Sequence, residues 1–183
     1  MAEDEAPRRA GFVAILGAPN VGKSTLVNRL VGSKVSIVSP KVQTTRSRVR
    51  GIRMEGAAQL VLVDTPGIFE NAKRRLERAM VHAAWSGAQD ADAILVLVDA
   101  KRGIDENTKK ILKTLVKSGR KALLAINKID QVSHTDLLPL AGALDDGTSV
   151  DRIFMISALD GQGVNDLLNY LLGLLPEGPW LYP

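Results

Sequence analysis

The chain has 183 residues, 45% of them hydrophobic and 24% charged, with a formal net charge of +4. That length suits one domain with a sizeable core, and so mild a charge permits attraction to polyanions without demanding it. The lack of cysteine excludes disulfides and thiolate metal sites; no apolar run reaches the length of a membrane span, and the first ten residues hold no signal core.

Residues 1–10 read as a polar tail, and residues 11–176 as a single domain. Its first element is an apolar strand, Phe12 to Leu16. Gly17-Ala18-Pro19-Asn20-Val21-Gly22-Lys23-Ser24 follows, and Thr25 leads into apolar residues at helical spacing that end near Gly32. Strand, G-x-x-x-x-G-K-[ST] and helix in that order form a phosphate cradle. The glycines let backbone N–H groups turn inward, and the helix N-terminus faces the same point. Lys23 supplies an ammonium for the outer phosphates, and the Ser24 hydroxyl a ligand for magnesium.

Residues 33–47 read as a loop containing Pro40 and the run Gln43-Thr44-Thr45-Arg46. Arg48 to Arg53 alternates basic and apolar residues, the period of a half-exposed strand. Glu55-Gly56 then turns tightly into Gln59 to Val63, so this pair is antiparallel. Arg46, Arg48, Arg50 and Arg53 make a basic stripe; without an aromatic to stack on bases, it reads as a charged edge strand rather than an RNA contact.

Asp64-Thr65-Pro66-Gly67 closes the second strand of the pair. Asp64 suits magnesium through a bound water, and the Gly67 N–H can approach a terminal phosphate unobstructed. A polar helix is expected from Ala72 to Ser86, with Trp85 in packing and His82 on the surface. Then come a buried strand, Asp92 to Asp99, a helix, Asp105 to Lys117, and a strand, Lys121 to Ile126.

Asn127-Lys128-Ile129-Asp130 follows that strand. The Asp130 carboxylate can accept both the N1–H and the exocyclic amine of guanine, whereas adenine would set an acceptor against it. Asn127 can brace the loop, and the Lys128 stem can cover the ring. A helix over residues 136–144, a strand from Ile153 to Ile156 and a helix from Val164 to Leu175 complete the chain. Ser157-Ala158 offers a backbone N–H to the guanine carbonyl. Strands alternating with helices imply an α/β fold: a mostly parallel six-stranded sheet with one antiparallel edge strand and helices on both faces, all the motifs lying at one sheet edge.

These motifs in register resemble the translation-factor-related P-loop GTPases. Gln43 to Arg46 and the ending Leu175-Pro176-Glu177-Gly178-Pro179 are similar to the Era-type GTPases of bacteria. The resemblance implies a switch that binds GTP and GDP and hydrolyses GTP, with Lys23, Thr45, Gly67 and Asn20 acting at the terminal phosphate. It implies magnesium held by Ser24, Asp64 and one of Thr44 and Thr45, with Thr45 favoured. It also implies a cytoplasmic monomer that serves maturation of the small ribosomal subunit and contacts its RNA; peripheral association with the inner membrane stays open. A KH domain would begin where this chain stops, so residues 177–183 read as a linker and RNA binding by the chain itself is in doubt. Ile68 stands where Ras-like enzymes carry a water-orienting glutamine. Two readings answer it: Asn20 helps hold a potassium ion that supports hydrolysis, or the protein is a GTP-dependent binding module with negligible turnover. That Asn20 only shapes the loop also stays open.

Overall fold

The computed structural model describes residues 6–32, 43–44, 47–64 and 91–183. Among them, seven strands form one sheet in the order β2-β3-β4-β1-β5-β6-β7. They are β1 (Arg9–Gly17), β2 (Gln43–Thr44), β3 (Ser47–Glu55), β4 (Ala58–Asp64), β5 (Ala93–Asp99), β6 (Ala122–Asn127) and β7 (Val150–Met155). β4, β1, β5, β6 and β7 run parallel, and β3 pairs antiparallel with β4. The six-stranded sheet with its antiparallel member is present, and the two-residue β2 extends that edge. Four α-helices are described: α1 (Lys23–Val31), α2 (Glu106–Ser118), α3 (His134–Leu144) and α4 (Val164–Leu174). None of the described helices is long and apolar enough to cross a membrane.

The central strands read as unbroken apolar runs because both faces are covered. Successive side chains point to opposite faces. Val13, Ile15, Leu95, Leu97, Leu123 and Ala125 therefore join a core with Leu26 and Leu30 of α1 and Leu167 and Leu171 of α4. Ala14, Leu16, Ile94, Val96, Val98, Leu124 and Ile126 join a second core with Ile111 and Leu115 of α2 and Leu137 of α3. The sheet is the middle of three layers.

Local chemistry sets the helix ends. Asp105 caps α2 by accepting from the Thr108 N–H at 2.8 Å, and Gly119, with φ of 70°, ends it. Asp92, expected to open a strand, instead accepts from the Phe12 N–H at 2.7 Å, and β5 begins one residue later. The helix expected over residues 72–86 lies outside the described residues.

Arg8 and Arg9 and the last residues of the chain meet at the end of the sheet opposite the motif loops. β1 starts at Arg9, inside the stretch read as tail, and pairs Arg9 with Ala58. Residues 177–183, read as a linker, fold back on that end: the Gly178 N–H donates to Arg8 O at 2.9 Å, and Trp180 Nε1 to Ala57 O at 2.9 Å. The Arg8 guanidinium lies 4.6 Å from the centre of the Trp180 ring. Gln59, 1% exposed, does most to hold the segment. Its Oε1 accepts from the N–H of Leu181 at 2.8 Å and of Tyr182 at 3.0 Å, and its Nε2 donates to Tyr182 O at 2.9 Å.

Gln59→Leu orphans three backbone groups at once, so we expect a loss of about 2–3 kcal/mol in urea denaturation. Trp180→Phe removes one bond and should cost about 1 kcal/mol in the same experiment.

Candidate functional site

β1 delivers the chain to Gly17, and α1 starts six residues later at Lys23. A Cβ at Gly17 would meet Val21 Cγ2 at 2.7 Å, so the loop closes on itself only over a glycine. Gly22 precedes α1 with φ of 102° and supplies no side-chain cap, and the first turn holds no acid. The helix N-terminus thus keeps its N–H donors and its positive end for an anion. Lys23 arches back over the loop, donating from Nζ to Gly17 O at 2.7 Å.

The loop after β6 is bound to this cradle by two side chains, of which the buried one is Asn127. Asn127 is 2% exposed. Its Nδ2 donates to Val21 O at 2.8 Å, and its Oδ1 accepts from the Ala158 N–H at 2.9 Å. One amide therefore joins the phosphate loop, the Asn127–Asp130 loop and the Ser157-Ala158 turn. A Cβ added at Gly22 would lie 2.3 Å from Asn127 Nδ2, so both the backbone twist and this approach require glycine there.

Lys128 makes a second link, donating from Nζ to Asn20 O at 2.8 Å and to Asp99 Oδ2 at 2.9 Å. Asn20, with φ of 64°, and Lys128, with φ of 67°, are the two non-glycine residues with positive φ among those described. Two backbone conformations that need outside support are thus tied to each other. Asp99 also accepts from the N–H of Lys101 at 2.8 Å and from Arg102 Nε at 3.3 Å. Burial alone would push its carboxyl up. The hydrogen bonds from Lys128, from the Arg102 and Lys101 N–H groups and from the Arg102 side chain outweigh burial and hold it below the usual range.

Asp130 lies in a short 3-10 turn, Ile129–Gln131, exposed beside Lys128. Its carboxylate has no hydrogen-bond or ionic partner among the described residues. Ser157 is buried and packs inside its turn, where its Oγ accepts from the Asp160 N–H at 3.3 Å. Of the Ser157-Ala158 pair, expected to offer a backbone N–H to a guanine carbonyl, the Ala158 N–H donates to Asn127 Oδ1 in this structure. Ser24 sits at the start of α1, its Oγ accepting from Arg50 Nη2 at 2.9 Å. Asp64 ends β4 opposite Ile15 of β1, next to the phosphate loop. Thr44 lies in β2. Thr45, Thr65, Pro66, Gly67 and Ile68 lie outside the described residues. Of the basic stripe, Arg53 is structural, paired to Glu55 at 2.7 Å and bonded to Leu30 O at 3.1 Å.

Three participants carry no motif in the sequence: Asp99, Arg102 and Arg29. Arg29 of α1 donates from Nε to Ala158 O at 3.2 Å and from Nη2 to Leu159 O, bracing the turn from below. The available signal for Asp99 was its place, a carboxylate ending a buried strand at the edge where the motif loops gather.

Residues 12–128 match the family described as 50S ribosome-binding GTPase. The GTPase Era of Rhizobium meliloti is 57% identical over 177 residues, 97% of this chain and 56% of that protein. The GTPase Era of Brucella suis is 58% identical over 175 residues, 96% of this chain and 56% of that protein. A crystal structure of Era in complex with MgGDPNP and nucleotides 1506–1542 of 16S ribosomal RNA matches with a TM-score of 0.78 and 41% identity, covering 96% of this chain and 60% of that one. An Aquifex aeolicus Era variant bound to GDP and AlF4− matches with a TM-score of 0.76, 41% identity and the same coverage of 96% and 60%. The chain spans just over half the length of these Era relatives, 56% in both.

The depressed Asp99 carboxyl has a consequence in acid. Its stabilisation is present in full above about pH 5 and is lost as pH falls below the unfolded carboxyl's value, through the lower folded one. The stability gap between the parent chain and Asp99→Asn, measured by denaturation at several pH values, should therefore be widest near neutrality and narrow below about pH 4.

Proposed function

The chain belongs to the 50S ribosome-binding GTPase family, and from that premise we propose that it is a GTP-hydrolysing molecular switch of the Era kind. The observation that carries this reading is the Asn127 amide, which fastens a guanine-selecting loop to a phosphate cradle. A single ligand with a guanine at one end and phosphates at the other spans both loops.

Asp130 selects the base by accepting its two adjacent donors, an arrangement that leaves a buried mismatch with adenine. The Lys128 stem covers the ring. Gly17 to Thr25 cradle the phosphates through backbone N–H groups, and Lys23 moves from Gly17 O to the outer phosphates. The donor types fit magnesium: Ser24, at the start of α1, would offer a hydroxyl and Asp64, at the end of β4, a carboxylate, both hard oxygen ligands, with Thr45 completing the set in the triphosphate state. Bound there, magnesium neutralises charge between the outer phosphates. Gly67 and Thr45 take their orders from the terminal phosphate, so its loss releases the segments that carry them. Asn20 is exposed at the loop's outer turn, and its side chain helps hold a potassium ion that offsets transition-state charge. The partner is the small ribosomal subunit through its RNA, a reading supported by the Era complex with 16S ribosomal RNA.

A second reading, a GTP-dependent binding module without turnover, is favoured by Ile68, which cannot orient a water. Phosphate release by the purified chain, alone and with small ribosomal subunits, separates the two; none in either case favours the module. Asp130→Asn should lower GTP affinity by about two to three orders of magnitude and move preference to xanthosine triphosphate, whose carbonyl replaces the amine. Retained GTP preference would remove the base assignment. Phosphate release should be faster in potassium than in sodium chloride at equal ionic strength, and equal rates would dismiss the role given to Asn20.

A further inference from the structure

Two cations grip consecutive carbonyls of the phosphate loop. Arg102 Nη2 donates to Pro19 O at 2.8 Å, and Lys128 Nζ donates to Asn20 O at 2.8 Å. Both cations are held by one oxygen, Asp99 Oδ2, at 3.3 Å from Arg102 Nε and 2.9 Å from Lys128 Nζ. The Asp99 side chain is 6% exposed, against 38% for Arg102 and 29% for Lys128, so the anion is the buried anchor and the cations are the arms.

The peptide bond turns this grip into something directional. In a trans peptide the C=O of one residue and the N–H of the next point opposite ways, and no described peptide here is cis. Fixing Pro19 O towards Arg102 sends the Asn20 N–H the other way. Fixing Asn20 O towards Lys128 does the same for the Val21 N–H. Neither N–H donates to another group among the described residues. Pro19 and Asn20 are exposed, so packing does not hold this turn, and Asn20 sits at φ of 64°, a region a non-glycine residue keeps only when its surroundings enforce it. A cation on each carbonyl also polarises the peptide and strengthens the N–H as a donor.

We propose that Asp99 and Arg102 are positioning residues for phosphate binding: with Lys128 they aim the Asn20 and Val21 N–H groups into the cradle, and they tie that aim to the loop that reads the base. The inference rests on the GTPase reading above. Lys128 belongs to the base motif, whereas Asp99 and Arg102 belong to none. The arrangement makes the two halves of the ligand interdependent, since Lys128 covers the base and holds Asn20 O with one side chain.

The test uses a fluorescent mant-GDP probe on the purified chain, with unlabelled GDP and guanosine as competitors, for the parent, Arg102→Ala, Asp99→Asn and the double variant. Arg102 is largely a surface side chain, so its truncation leaves both cores intact. Arg102→Ala should weaken GDP about tenfold, the effect of one charge-assisted hydrogen bond, and leave guanosine unchanged. Asp99→Asn should weaken both competitors, because Lys128 loses its anchor as well. The double variant should lose less than the product of the single effects, because both act through one contact. Parent-like GDP binding by Arg102→Ala would overturn the proposal. So would an equal loss for guanosine and GDP in Arg102→Ala, or multiplying effects in the double variant. A parent chain that binds no GDP would instead overturn the GTPase reading, and this inference with it.

Discussion

The site depends on the two hydrogen bonds of the buried Asn127 amide. The phosphate loop follows the first strand, the base loop the sixth, and the Ser157-Ala158 turn the seventh. Only side-by-side parallel strands bring their ends to one edge, and the amide then fixes their relative height. A donor and an acceptor on one planar group serve two loops at once, which a hydroxyl or a carboxylate could not do in the same geometry. Burial makes the arrangement consequential: a polar group that has left water must keep both partners or bear the cost of losing them.

Around that bridge the molecule is built as supporting tiers. The parallel strands are anchored by two apolar cores on opposite faces. α1 starts at the end of the loop after β1 and braces the Ser157-Ala158 turn through Arg29, the cation of its last turn. The exposed outer turn at Pro19 and Asn20 is held by charged side chains on its carbonyls. Rigidity thus passes from hydrophobic packing in the sheet to hydrogen bonds at its edge and to ion pairs at the rim.

Much of this was legible in the sequence. The apolar runs marked the buried strands, and their alternation with helical spacing gave the parallel sheet. The loops after β1 and β6 were visible because each carries particular residues at fixed spacing at a strand end. What stayed hidden was of two kinds. Contacts between distant segments, such as Arg29 with Ala158, leave no local pattern, since an arginine on a helix looks the same whether it meets water or a backbone carbonyl. Residues whose role comes from a strand end, such as Asp99, carry no motif. The packing of Trp180 and Gln59 was missed for the same reason: residues 177–183 have no periodicity, and their order comes from hydrogen bonds to another strand. The hydrogen bond from the Ala158 N–H to Asn127 also joins segments far apart in the chain, so the sequence could not show it.

The close approach of Gly22 to the Asn127 amide bears on how such a chain can change over generations. Any larger residue at 22 collides with the amide, while a smaller residue at 127 relieves the crowding only by stranding Val21 O and the Ala158 N–H. Neither replacement is tolerable as a first step, and the second brings no benefit without the first. Two codons far apart in the gene are thereby interlocked, and a lineage that keeps the binding site has no single-substitution route away from the pair.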